Sequence, residues 1–220
     1  MAINGNIHAQ YQLAEKLARR RQNASSLREA LTWLRKAASA GHRGAEYALG
    51  NWLIHGIVVK KNYKNAVKWL LRAARKASVE AQYDLAVCYA KGEGIRRNRQ
   101  EALRWFKKAA ALADPDAQFH VGQAYELGVG TTRNLRLSLN WFRKAASQGD
   151  VDAQWNVAVA YEHGAGVRAN VKEAIRWYRK AAYQGDRQAR LAIDELRDGG
   201  KPGDTTRRKK RVARKRGDRK

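Results

Sequence analysis

The sequence predicts an all-α fold, a right-handed superhelical solenoid built from stacked αα-hairpins. Three observations support this prediction: the chain repeats every 36 residues, apolar residues within each repeat follow helical spacing, and glycines separate the apolar runs. The composition agrees, because only two of the 220 residues are proline and 44% are apolar. One hairpin cannot bury its apolar face alone, so consecutive hairpins are expected to stack on their nearest neighbours.

The period is visible as columns of one residue type spaced by 36 positions. The most regular column is tryptophan, at Trp33, Trp69, Trp105, Trp141 and Trp177. We expect five repeats over about 5–42, 43–78, 79–114, 115–150 and 151–186, a carboxy-terminal cap over 187–197, and a basic tail over 198–220. The tail is expected to be disordered on its own, because blocks of like charge repel.

Each repeat contains two helical runs. In the repeat 153–186, apolar residues recur at helical spacing over 153–161 and again over 174–181, and Gly164 and Gly166 lie between the two runs. Paired alanines in the second run should let neighbouring helices approach closely. The tryptophan and the first-run aromatic are expected to fill the space between the helices.

The pattern AxYxLAxxYxxGxGxxxxxxxAxxWxxKAA resembles the Sel1-like repeat, a relative of the tetratricopeptide repeat, over roughly residues 5–197. The third, fourth and fifth repeats match it closely. The second repeat has Gly56, Ile57 and Val58 where the family has a Gly-x-Gly turn, and the first repeat has lost both glycines. The resemblance implies a protein–protein adaptor or scaffold without chemical activity.

Positive charge is the second strong feature of the sequence. The chain has 45 Lys and Arg against 20 Asp and Glu, a formal net charge of +25. Part of this charge lies two and three positions after each tryptophan, at Arg35, Lys36, Arg72, Lys107, Lys108, Arg143, Lys144, Arg179 and Lys180. Another part lies in the tail, at Arg207, Arg208, Lys209, Lys210, Arg211, Arg214, Lys215 and Arg216.

Two interpretations of the charge are open. Exposed helix positions are often filled by Lys and Arg because both are good helix formers. Charge of one sign on this scale also indicates an anionic partner. We interpret the chain as a scaffold for an acidic protein. The alternative is a nucleic-acid or ribonucleoprotein-associated protein that binds RNA or DNA phosphates with little sequence specificity. An anionic membrane surface is a further, weaker alternative.

The first helices carry a second set of candidates. Positions that vary while the repeat frame stays fixed tend to face the groove that binds peptide segments. The residues at these positions that we consider candidates for binding a peptide are Asn51, Asp84, His120, Gln123 and Asn156. The simpler reading is that these side chains only solvate the groove.

No catalytic role is predicted. The sequence lacks the HExxH, GxSxG, GxxxxGK[ST] and SxxK motifs, and one cysteine with five histidines is too few for a structural zinc site. We therefore expect no cofactor and no metal, and we expect Cys88 to be a buried reduced thiol. With neither a signal peptide nor a membrane span evident, the expected location is the cytoplasm, or the nucleus if the chain is eukaryotic or delivered into a host cell.

Overall fold

The computed structural model describes residues 5–20 and 24–197. The basic tail predicted over 198–220, with all its candidate anion-binding residues, lies outside the described residues. Across the described ranges every regular element is an α-helix, which confirms the all-α fold. The helices are α1 (Ile7–Arg20), α2 (Ala24–Ser39), α3 (Arg43–His55), α4 (Tyr63–Arg75), α5 (Val79–Lys91), α6 (Arg99–Ala111), α7 (Pro115–Leu127), α8 (Leu135–Ser147), α9 (Val151–His163), α10 (Val171–Tyr183) and α11 (Arg187–Arg197).

The helices pair into hairpins within two compact halves. The N-terminal half, Met1–Ala113, contains the hairpins α1–α2, α3–α4 and α5–α6, and the C-terminal half, Asp114–Lys220, contains α7–α8, α9–α10 and the closing helix α11. We call α1, α3, α5, α7 and α9 the first helices and α2, α4, α6, α8 and α10 the second helices. In each half a second helix also packs on the first helix that follows it, for example α4 on α5 and α8 on α9.

The paired alanines of the second helices are the most uniform part of the core. Ala37 and Ala38 are fully buried in the N-terminal half, and Ala145 and Ala146 are buried in the C-terminal half. They join clusters in which larger side chains such as Leu34 and Phe142 fill the remaining space. Small side chains at these positions let neighbouring helices approach closely, as the sequence predicts.

Polar side chains cap the starts of several helices, and glycines follow the ends of the first helices in the later repeats. Asp114 and Asp150 accept hydrogen bonds from the backbone N–H groups of Ala117 and Ala153, at 2.6 Å and 2.7 Å. At the turn after α9, Gly166 has φ +74°, and a Cβ there would lie 2.4 Å from the carbonyl oxygen of Leu135. Glycine is therefore required at Gly166 by both the backbone conformation and the close approach of α8.

The second repeat makes the same turn without its second glycine. Val58, at the position equivalent to Gly94 and Gly166, adopts φ +64°, close to the +71° and +74° of those glycines. A β-branched residue is strained in this left-handed region, so the rest of the repeat must impose the conformation. In the first repeat, α1 and α2 are longer than the other helices of the hairpins, and residues 21–23 between them lie outside the described residues.

Candidate functional site

Every second helix has more basic than acidic residues, whereas among the first helices only α1 does. The second helices α4 and α8 contain four and three basic residues, respectively, and no acidic ones. The first helices α7 and α9 contain two acidic residues each and neither lysine nor arginine. The positive charge of the repeats is therefore concentrated on the second helices, which makes them the candidate anion-binding elements.

In each second helix, one of these cations stacks on the ring of the repeat tryptophan. In every second helix the side chain three residues after the tryptophan lies over the indole ring and is itself exposed. The distances from the cationic nitrogen or guanidinium carbon to the ring centroid are 4.3 Å for Lys36 on Trp33, 4.7 Å for Arg72 on Trp69, 3.9 Å for Lys108 on Trp105, 4.0 Å for Lys144 on Trp141 and 3.9 Å for Lys180 on Trp177. Such contacts are worth about 0.5–1 kcal/mol at exposed sites and hold the cation in place.

Trp33, Trp69 and Trp177 pack against the core clusters, as the sequence predicts, but they are not fully buried. Trp105 is buried, as expected for a residue that fills space between helices, but Trp33, Trp69, Trp141 and Trp177 keep part of their surface exposed. The repeated Trp and Lys/Arg spacing of three residues is a sequence signal for the stacking, because residues at i and i+3 are neighbours on a helix.

The column two residues after each tryptophan is less uniform. Arg35 and Arg179 are exposed, whereas Lys107 and Arg143 are half-buried. The guanidinium of Arg143 donates a hydrogen bond to the hydroxyl of Tyr161 on α9 and lies 5.2 Å from that ring. This hydrogen bond holds the guanidinium of Arg143 against α9.

Arg72 differs from the other candidates because its charge is balanced inside the repeat. Its Nε donates to the carboxylate of the fully buried Glu46 at 2.9 Å, and Lys76 lies 2.9 Å from the same carboxylate. Two further cations of the second helices are similarly paired, Arg104 with Glu101 at 3.5 Å and Arg176 with Glu173 at 2.7 Å. We use the name second-helix cations for the other candidates of these two columns, Arg35, Lys36, Lys107, Lys108, Arg143, Lys144, Arg179 and Lys180.

Two groove candidates meet in the N-terminal half. The side chains of Asn51 and Tyr47, both on α3, are hydrogen-bonded to the carboxyl group of Asp84 on α5. Burial raises the pKa of Asp84 to about 6, despite these hydrogen bonds. Its Oδ2 is buried and has no hydrogen-bond partner among the described residues. Asp84 is thus a constrained polar group between two repeats rather than a freely solvated side chain.

The groove candidates of the C-terminal half differ in their burial and contacts. Asn156 is only 7% exposed and donates to the backbone carbonyl of Asp152, one turn earlier, at 2.9 Å. His120 is half-buried with its ring edge-on to Phe119, at 6.0 Å between centroids, and Gln123 is half-buried. Of these three, Asn156 has the least surface for a partner to contact.

A cavity that the sequence did not reveal lies along the first helices of the N-terminal half. It has a volume of about 810 Å³, and its lining includes His8, Tyr11, His42 and Glu80. His8 and His42 are hydrogen-bonded through their ring nitrogens at 3.3 Å, and the Tyr11 ring stacks on His42 at 4.4 Å. His42 occupies a cap position where the later repeats have serine or aspartate, which is the only sequence signal for this cluster.

Other functional groups are sparse. Cys88 is buried, as expected, and burial raises the pKa of its thiol to about 12. In the part of the chain that the structure describes, no group of three or more His, Cys, Asp or Glu side chains is arranged to hold a metal ion. None of the helices described here is long and apolar enough to cross a membrane.

Comparison with known proteins identifies the repeat. The sequence model of the Sel1 repeat matches residues 7–42, 44–78, 79–114, 115–150 and 151–186. Among curated proteins, none matches the chain by sequence.

Two solved structures resemble the chain throughout. A protective antigen of uropathogenic Escherichia coli with an SLR fold is 28% identical, with a TM-score of 0.84, and the match covers 90% of this chain but only 43% of the antigen chain. A Sel1 repeat protein of Oxalobacter formigenes is 27% identical, with a TM-score of 0.77, and the match covers 91% of this chain and 80% of that protein's chain. Since the family match extends through five consecutive repeats and these neighbours share the solenoid fold, the chain belongs to the Sel1 repeat family.

Proposed function

We propose that the chain is a non-catalytic scaffold that binds an acidic protein through the second-helix cations, with the basic tail adding to the attraction. Sel1 repeat proteins generally act as protein-interaction scaffolds. The single observation that supports the finer proposal is the separation of charge, because α4 and α8 are purely cationic while α7 and α9 have only acidic charges.

The electrostatics of the second helices favour binding of an anion. Four of the eight second-helix cations are lysines held over indole rings, so their side chains lose less freedom when a partner binds. A carboxylate-rich surface would be attracted to these cations, and the attraction would weaken with salt because the cations are mostly exposed.

Charge-matched variants test this proposal. The first replaces Arg35, Lys107, Arg143 and Arg179 with Gln, and the control replaces Arg28, Lys64, Lys68 and Lys172 with Gln, so both lose four positive charges from second helices. Binding of fluorescein-labelled polyglutamate to the full chain is measured by anisotropy at 50 mM and 300 mM NaCl. We expect the first variant to bind about tenfold more weakly at 50 mM NaCl and the control to change less than threefold. Equal losses in both variants would contradict a role for these particular cations.

Nucleic acid is the second candidate partner. The observation that favours it is the tail, which has 11 basic and two acidic residues in positions 201–220. The indole faces of the second helices are covered by cations, so contacts would be mainly to phosphate rather than by base stacking.

A salt series separates the two candidates. Full-length chain and a form lacking residues 201–220 are titrated with labelled oligouridine and with polyglutamate between 50 and 200 mM NaCl. Tighter binding of oligouridine, with a steep salt dependence that the truncation reduces, would favour nucleic acid. Preferential binding of polyglutamate would favour the acidic protein. An unchanged salt dependence after truncation would rule out a role for the tail.

A further inference from the structure

The hairpin α7–α8 exposes three apolar side chains near its turn. Leu127 is 63% exposed at the end of α7, Val129 is 37% exposed in the turn and Leu137 is 38% exposed in the first turn of α8. The turn is closed by the hydrogen bond from the backbone N–H of Asn134 to the carbonyl of Tyr125, at 2.8 Å. The three apolar residues therefore lie at the same end of one hairpin, and we call them the turn patch.

The other repeats have polar residues at two of these three positions. The positions equivalent to Leu127 hold His55, Lys91 and His163, and those equivalent to Leu137 hold Asn65, Glu101 and Glu173. Because the same frame folds with polar residues in the sister repeats, the fold does not require leucine at either position. Exposed apolar side chains that lie together with polar residues around them are typical of a binding site.

Helix α8 lacks an ion pair that α6 and α10 both have, and it exposes an apolar side chain at one of the two positions. Glu101 and Glu173 each pair with the arginine three residues later, Arg104 and Arg176. In α8 the equivalent residues are Leu137 and Asn140, so neither charge of the pair is present. The fourth repeat thus differs from its neighbours in a way that favours an apolar contact.

Cations border the turn patch. Arg133 and Arg136 are exposed on either side of the start of α8, and Arg133 Nε donates to the backbone carbonyl of Glu126 at 3.0 Å. No acidic residue is present in α8, and burial raises the pKa of the nearby Glu126 carboxyl, although the positive charge of Arg133 opposes this shift. An apolar centre with a charged rim is the usual composition of a protein-binding surface.

We propose that the turn patch is the docking site for an acidic amphipathic segment of the partner protein. Its apolar side chains contact Leu127, Val129 and Leu137, and its carboxylates pair with Arg133 and Arg136. The inference rests on the proposed binding of an acidic protein and adds a specific anchor to it, because exposed leucines add contacts that charge alone does not provide. A second copy of the chain is a poorer occupant, since its own arginines would face Arg133 and Arg136.

Substitutions taken from the sister repeats test the proposal with little risk to folding. The variant Leu127→Lys with Leu137→Glu places the residues of Lys91 and Glu101 into the fourth repeat and leaves the net charge unchanged. The control, Leu112→Lys with Leu191→Glu, makes the same exchange at exposed leucines elsewhere, which are 48% and 55% exposed. A third variant, Arg133→Gln with Arg136→Gln, removes the cationic rim.

Two peptides serve as probes for the full-length variants. One is a labelled 18-residue helical peptide with leucine on one face and glutamate on the other, and the second is polyglutamate. We expect the Leu127→Lys/Leu137→Glu variant to bind the amphipathic peptide at least tenfold more weakly and polyglutamate as tightly as before. The rim variant should also lose affinity for the amphipathic peptide, whereas the control should retain it.

The outcomes distinguish this inference from the proposed function. If polyglutamate binds but the amphipathic peptide binds no more tightly, or if the turn-patch variant binds it normally, the docking site is overturned while the proposed function stands. If neither probe binds, both are overturned. Sedimentation and flotation with anionic vesicles complete the test, because a dimer or a vesicle interaction abolished by the turn-patch variant would assign the patch to another occupant and overturn the inference.

Discussion

The ammonium group of Lys76 lies 2.9 Å from the carboxylate of Glu46, which is fully buried. The same pair of positions, 30 residues apart, is occupied by hydrogen-bonded glutamines in the C-terminal half: Gln148 donates to Gln118 at 2.9 Å, and Gln184 donates to Gln154 at 3.0 Å. A charged pair in one repeat and neutral pairs in two others thus fill the same structural position.

This equivalence predicts a coupled effect on stability. Lys76→Gln alone removes one partner of a buried carboxylate and should lower the free energy of unfolding by about 1–3 kcal/mol. Adding Glu46→Gln recreates the neutral pair of the sister repeats and should recover at least half of the loss. A double-mutant cycle by urea denaturation measures the coupling, and strictly additive effects of the two substitutions would contradict the pairing.

Val58 predicts a stabilising substitution. Val58→Gly relieves a β-branched residue at φ +64°, and after the entropy that glycine adds to the unfolded chain we expect a net gain of about 0.5–1 kcal/mol. The control is Val59→Gly, because Val59 packs against the core of the N-terminal half and has no positive φ. Thermal denaturation should show opposite shifts for the two variants, and a loss of stability in Val58→Gly would contradict the strain.

The cap of α3 predicts a loss of stability at acidic pH. Nδ1 of His42 accepts the backbone N–H of Ala45 at 3.2 Å, which requires the neutral ring. Burial, followed by the charge of His8 and opposed by Glu15, lowers the pKa of His42, with smaller contributions from Arg43 and Glu46. The imidazole of His42 is therefore protonated near pH 6.5 in the unfolded chain but only at lower pH in the folded chain. The free energy of unfolding should fall as the pH decreases through this range.

The variant His42→Ser isolates this effect, because Ser78 caps the equivalent helix without titrating. Unfolding free energies measured from pH 7.5 to 5.5 should fall more steeply for the wild-type chain than for His42→Ser. Parallel profiles for the wild type and His42→Ser would show that the cap does not depend on the proton.

The buried carboxyl group of Asp84 should also make stability depend on pH, with a sign opposite to that of His42. Burial raises its pKa from the ordinary range of an aspartate to about 6, so between these values the folded chain retains a proton that the unfolded chain has released. Asp84 should therefore make the folded state about 2 kcal/mol less stable at pH 7 than at pH 4, relative to a residue that does not titrate.

The variant Asp84→Asn measures this contribution. Its stability relative to the wild type should be highest at pH 7 and should decline as the pH falls from 6 to 4. Asp194→Asn, at an exposed position of α11, serves as the control and should show a much smaller change. A difference between Asp84→Asn and the wild type that does not vary with pH would contradict the raised pKa.

The repeat period predicted the all-α solenoid, because the apolar spacing and the alanine pairs are local patterns that appear five times. It was harder to predict which of the candidate cations are paired with a carboxylate. Arg72 occupies the same column as Lys108, yet only Arg72 is neutralised by a buried carboxylate, because Glu46 replaces glutamine at one position of another column. The positive φ of Val58 could not be predicted from the sequence either, because tertiary contacts impose a conformation that valine itself disfavours.

Oxidative footprinting of the full chain tests the binding surface most directly. The half-exposed Trp33, Trp141 and Trp177 report on the second helices, and the half-exposed Tyr47 and Tyr83 report on the first helices. Saturating polyglutamate should lower the oxidation of the three tryptophans at least twofold and leave the two tyrosines unchanged. Protection of Tyr47 and Tyr83 with unchanged tryptophans would contradict the proposed function and place the bound anion on the first helices.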